Sequence, residues 1–328
     1  MSTAVQTTAA PLIVMPRGHD GKEIELDRST VYMEFSLHAL GTSRKVPESL
    51  WGDLGIVAPA DEAENADEQL DKALITVSKE LFDSPTLAEI KTFDGHTRAW
   101  LRNKCLPFQR GVHFLSYGLV ELVDKELKRR RVQRRALVDK FLDEYPTLCR
   151  DIAKRLTKKY YNPADYPALE DVAASFRMTW RFFKFGVPEE LAQVSPEVFE
   201  AARKDASAQL KQAAAHIEEI MTAEALKLVS KLRDALTPGA DGRKRKLCDA
   251  TFTNLADFLA FFDHRNVTNN TDLKKIVDDL RSKLGNTDIQ EIRKTKELRE
   301  QLGVEMSTIT DQLTTMVERV PRRKITLH

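Results

Sequence analysis

The chain has 328 residues, 42% of them hydrophobic and 31% charged, enough for one large or two ordinary domains with a charge-rich surface. A net charge of +1 excludes steering by the molecule as a whole, so an electrostatic partner must be recruited by local patches. Three cysteines, Cys105, Cys149 and Cys248, lack CxxC spacing and read as reduced thiols of a cytoplasmic protein.

In chain order, residues 1–22 are small, polar and broken by Pro11, Pro16 and Gly21. They lack the basic start and apolar core of a signal peptide, and a mobile tail is expected over 1–28. From Thr30 to Leu40, Val31, Met33, Phe35 and Leu37 alternate with Tyr32, Glu34, Ser36 and His38, the period of a half-buried strand. Residues 61–71 carry six acids and no base, which reads as a solvated helix face or loop. Asp83-Ser84-Pro85 is a helix start, and Leu87, Ile90, Phe93, Trp100 and Leu101 predict a packed helix over about 85–105. Pro107 and Gly111 close it.

The stretch from about 112 to 157 has the strongest pattern in the chain. Val120, Val123, Leu127, Leu137, Phe141, Leu148 and Ile152 recur at steps of three and four, with Val138 and Tyr145 alongside. Two features disturb it. Pro146 predicts a kink near Tyr145 or a stop and restart, because proline lacks an amide hydrogen. Arg130 and Arg134 fall where the stripe calls for apolar residues, and stems lying over an exposed part of a stalk, heads in water, account for them. These two belong to a basic run with Lys125, Lys128, Arg129, Arg131 and Arg135.

Tyr160–Pro167 reads as a loop. Phe176, Met178, Trp180 and Phe182 then alternate with Arg177, Thr179 and Arg181, a second strand that invites 30–40 as its antiparallel partner. Its aromatic face predicts a buried core, in preference to a platform for stacking bases. Ser195-Pro196-Glu197 starts a second long helix over 196–236, with Phe199, Leu210, Ile217, Ile220, Leu228 and Leu232 on its stripe. A basic loop follows, with Arg243, Lys244, Arg245 and Lys246, then helices over about 251–263, 271–284 and 287–319, the last with a break placed at Gly303. Asn270 and Asn286 are cap signals, and Arg322–Lys324 lie in a basic tail.

The fold these signals predict is mainly α: a long antiparallel helical hairpin, coiled-coil-like, of 112–157 against 196–236, with a small antiparallel β pair and a C-terminal helical subdomain. Domain limits are expected at 1–28, 29–195, 196–247 and 248–328. Neither a glycine-rich phosphate loop nor a nucleophile elbow is present in the sequence, and His216 with Glu218 and Glu219 lacks a second histidine one turn on. The chemistry therefore points away from an enzyme, with no catalytic, metal or cofactor residue to assign.

Residues 30–190 also resemble an uncharacterised family of helical proteins of bacteria, plasmids and phages. The resemblance rests on Val77-Ser78-Lys79, Asp83, Pro85, Leu87, Arg98, Ala99, Leu101, Phe114–Val120, Phe141-Leu142, Tyr145, Tyr166-Pro167, Phe176 and Val187-Pro188. Val77 departs from the glycine expected before Ser78, and Pro146 interrupts a helix expected to continue. Genes of that family often adjoin those of a MoxR-type AAA ATPase and a von Willebrand A-domain protein. What the resemblance implies is a helical adaptor working with such partners. Long stripes add the expectation of a homo-oligomer. The alternative is sequence-independent nucleic-acid binding through the basic clusters, which would neutralise phosphates without reading bases.

Overall fold

The computed structural model describes residues 30–54, 76–156, 158–238, 245–285 and 289–319. The expected N-terminal tail, the acidic run 61–71, the cap at Asn286, Arg243, Lys244 and the basic tail lie outside them. The chain is mainly helical with a small antiparallel sheet. It forms two compact units: Met1–Glu34, Leu101–Val123 and Arg181–His328 make the first, and Phe35–Trp100 with Asp124–Trp180 the second.

Four strands make the sheet: β1 (Thr30–Leu37), β4 (Leu106–Gln109), β5 (Val112–Ser116) and β6 (Met178–Phe183). Their order is β4-β5-β1-β6, so the expected pairing of the two alternating segments holds, inside a larger sheet. Successive residues Thr30–Met33 of β1 are all buried, so both of its faces are covered there. Tyr32, assigned by alternation to the open face, is 1% exposed. Its ring lies 4.9 Å from Phe114, 5.1 Å from Phe108, 5.5 Å from Phe185 and 5.7 Å from Phe183. The aromatic core is real, but it draws Phe183 and Phe185 from the second segment.

The β4–β5 hairpin takes residues expected to open the first long helix. Gly111 turns it at φ 79°, a conformation that costs glycine little. Val112 pairs with Glu34 and Phe114 with Tyr32 across β1. Phe114 and Leu115 point to opposite faces and both are fully buried. Consequently the long helix starts later.

In the second unit lie a short ribbon of β2 (Ser43–Lys45) and β3 (Ser78–Glu80), helix α1 (Pro85–Arg102, its last two residues in the first unit), most of α2 (Val120–Arg155) and α3 (Leu169–Ser175). At 36 residues, α2 is about 54 Å long, shorter than a start at 112 would make it. It continues as one helix through Pro146, with neither stop nor restart. Leu87, Ile90, Val138, Phe141, Tyr145, Ile152, Val172 and Phe176 form one buried cluster. The 160–167 loop is tied down by Lys79, whose ammonium reaches Asp165 at 2.8 Å and the Tyr160 carbonyl.

In the first unit, α4 (Glu190–Val194) leads to α5 (Pro196–Leu236), capped by the Ser195 hydroxyl on the Val198 amide. Its stripe, directed by the sequence at the first long helix, is covered within its own unit by α6 (Asp249–Arg265) and α9 (Lys296–Arg319). Small residues Ala206, Ala213, Ala214 and Ala225 permit that close approach. Helix α7 (Thr271–Leu284) starts where Asn270 accepts the Leu273 amide at 2.9 Å, as its cap signal predicts. The final helical stretch breaks at Thr295, between α8 (Ile289–Lys294) and α9, and runs unbroken through Gly303. A methyl at Gly303 would lie 3.7 Å from Leu236 Cβ, so this glycine sits beside the end of α5.

One arginine fastens the exit of α5 and another the entry to α6. Buried Arg299 donates to the carbonyls of Leu236 (3.0 Å), Ala235 and Arg245 (2.6 Å). Those of Ala235 and Leu236 belong to the last turn, which has no intrahelical donors of its own. Arg293 holds the Leu247 carbonyl at 2.7 Å and Asp249 at 2.8 Å.

Candidate interaction surface

The basic run on α2 is divided by the helical period. Arg134 faces inward and is 3% exposed. Its Nε donates to Asp94 Oδ1 at 2.7 Å and its Nη2 to Oδ2 at 3.0 Å and to the His38 carbonyl at 2.7 Å. This overturns the expectation of a head in water. The stripe position wanted an apolar residue, and a carboxylate on α1 neutralises the arginine placed there. Arg130, one turn earlier, is half-buried, with Nε 2.7 Å from Glu126, a hydrogen bond to Thr97 and its guanidinium 5.0 Å from the Trp100 ring.

The remaining five bases are exposed. Lys128 pairs with Asp124 at 2.6 Å, Arg129 with Glu126 through both Nε and Nη2, and Arg135 with Asp139 at 2.8 Å. Arg131 lies 4.9 Å from the Trp180 ring, whose Nε1 donates to Asp124 at 3.0 Å. No ion pair of Lys125 occurs among the described residues. The Asp124 carboxyl is held below the usual range by hydrogen bonds from Lys128 and Trp180, and Glu126 by those from Arg129 and Arg130.

The face left open follows from 100° per residue. Val132 is 72% exposed, and Lys128, Arg129, Arg135 and Ala136 stand three and four residues to either side of it. Lys125 lies on the same line two turns earlier. Cations surrounding a small apolar centre can take an anionic surface. Sequence reasoning found the cations but missed Asp94, Thr97, Trp100 and Trp180, which remove or orient their neighbours. The signal for Asp94 was the arginine itself: an interrupted apolar stripe calls for a buried counter-charge.

Of the loop cluster, Arg245 and Lys246 are described, exposed, and belong to the first unit. Arg245 borders a cleft of about 310 Å³ with Arg233, Asp234, Thr237, Pro238 and Ser307. The same unit buries Lys104, Cys105 and Arg265. Arg265 Nη2 lies 2.6 Å from Glu224 while its Nε has no hydrogen-bond partner among the described residues, and Lys104 Nζ sits 3.1 Å from the centre of the Phe261 ring. Burial pushes the Cys105 thiol up to about 12 and draws the Lys104 ammonium down, Asp257 opposing. A thiol so held is a poor nucleophile.

Cys105, Cys149 and Cys248 are all free thiols. No group of metal-ligating side chains occurs among the described residues, and His216 meets Glu219 alone, at 3.7 Å on an exposed surface. No described helix is long and apolar enough to cross a membrane. No family model matches the chain, and neither a curated protein nor a solved structure matches it.

Proposed function

We propose that the protein is a non-enzymatic helical adaptor, an interaction protein of the cytoplasm. The observation that carries this reading is the open face of α2, where cations surround Val132 while the neighbouring charges are spent on holding helices together. The family resemblance supports it and suggests the partners, an AAA ATPase of MoxR type and a von Willebrand A-domain protein. Several of the residues that carry the resemblance meet in one core: Leu87, Phe141, Tyr145 and Phe176 pack together, and the Tyr145 hydroxyl donates to the Pro167 carbonyl at 2.7 Å. A homo-oligomer belongs to the same reading. Native co-purification of tagged protein with the products of neighbouring genes tests it. Recovery of the ATPase or the A-domain protein is expected, and recovery of neither overturns it.

The second reading is sequence-independent nucleic-acid binding. Lys125, Lys128, Arg129 and Arg135 on one exposed face favour it, since each phosphate neutralised would release counterions. Arg134, in its buried pair, is not available to that site. Affinity for duplex DNA that falls steeply with salt, and collapses when the four exposed bases become glutamine, is the expected result. Absence of binding at low salt removes this reading.

A further inference from the structure

We infer that the open face of α2 docks an acidic helical segment of a protein partner, with Val132 as its apolar centre. The inference rests on the adaptor reading and names the surface and the chemistry of its partner. An isolated exposed valine on a helix is ordinary. Here, however, Lys128, Arg129 and Arg135 stand one turn to either side of it, and Ala136 keeps one flank low. From Lys125 to Arg135 the face runs about 15 Å, roughly three turns of a facing helix. Phosphates would use the cations and leave Val132 in water. An acidic helix carrying one apolar side chain uses both.

The existing ion pairs suit this role. Lys128 and Arg129 are steadied by the half-buried Asp124 and Glu126, acids of their own helix, while their exposed ammonium and guanidinium keep further donors for an incoming carboxylate. Arg130, Arg131 and Arg134 are engaged with Trp100, Trp180 and Asp94, away from this face. What remains outward is a small patch in which Lys128, Arg129 and Arg135 share their charge with acids of the same helix and Lys125 has no ion pair among the described residues.

The test uses the full chain and three fluorescent probes: an 18-residue helical peptide with glutamates around one leucine, the same peptide with serine for leucine, and an 18-base-pair duplex. Titration followed by anisotropy is expected to show the leucine peptide binding most tightly. Joint Lys128→Glu and Arg129→Glu substitution should weaken it at least tenfold, and Val132→Ser by about fivefold, the scale of burying a little more than one methylene. These positions are exposed, so circular dichroism should be unchanged. Val132→Ser should leave duplex affinity untouched. Tighter binding of the duplex than of either peptide overturns the inference, as does peptide affinity indifferent to Val132. Failure of both peptides while native co-purification succeeds removes this surface and leaves the adaptor reading standing.

Discussion

Arg134 and Asp94 form a buried bidentate pair, with 3% and 6% of their side chains exposed and Nε–Oδ1 and Nη2–Oδ2 distances of 2.7 and 3.0 Å. The third donor contact, to the His38 carbonyl, satisfies much of what burial would leave orphaned. Such a pair is poor evidence of net stabilisation, since desolvation offsets much of the attraction. Breaking it from one side strands a charge. Asp94→Ala should therefore destabilise by about 3–5 kcal/mol in urea titrations, whereas Asp94→Leu combined with Arg134→Met should be close to neutral. Equal losses in the single and double variants would show that the pair itself is the stabilising element.

Arg299 predicts a second stability effect. Its guanidinium serves three carbonyls, those of Ala235, Leu236 and Arg245, and alanine would leave them without that donor. A loss of about 2–3 kcal/mol is expected for Arg299→Ala, with lysine recovering part of it. Thermal unfolding of the two variants checks this. An unchanged midpoint for alanine would mean that water replaces the guanidinium without cost.

His113 gives the pH dependence. Burial, and then nearby Arg102, draw its ionisation below the ordinary value of 6.5. Between the folded and unfolded values the unfolded chain binds more protons. Stability should therefore fall as pH drops below about 6.5, reaching its full penalty once the folded value is passed. His113→Gln should flatten that part of the curve, measured as the wild-type minus variant difference from pH 7.5 to 5. An identical slope in the variant would assign the loss to other groups.

The cysteines should separate by reactivity. Cys248 is exposed, Cys149 half-buried and raised by burial, and Cys105 buried and pushed up to about 12. Iodoacetamide at pH 8 should label Cys248 first, Cys149 slowly, and Cys105 only on unfolding. Peptide mapping over time distinguishes them, and early labelling of Cys105 would mean that the packing over it opens.

Helices with their own start signals were legible residue by residue. Ser195-Pro196 and Asn270 announce α5 and α7, because a cap is a local bargain between a side chain and an amide three residues on. The β4–β5 hairpin was not, since Phe114 and Leu115 continue smoothly into Leu119 and Val123 and no local rule marks where period two becomes period three-and-a-half. Tyr32 was misplaced for the complementary reason: alternation assumes one wet face, and the Thr30–Met33 part of β1 has none. At the candidate surface the charge was visible, but which arginines are spent was not. Asp94 lies 40 residues from Arg134 in the chain, and only the fold puts them side by side.

The central position of β1 also has a consequence for how the chain is made. Its neighbours β5 and β6 come much later, β6 about 140 residues downstream. At ribosomal rates of about 5–20 residues per second, β1 waits roughly 7–30 seconds before its last neighbour is synthesised. Through that interval an apolar strand with buried-type residues on both faces has an unsatisfied edge, the condition under which nascent segments pair wrongly. Slow, late sheet closure should set the pace of folding, because β1 cannot pair along both edges until β6 has been made.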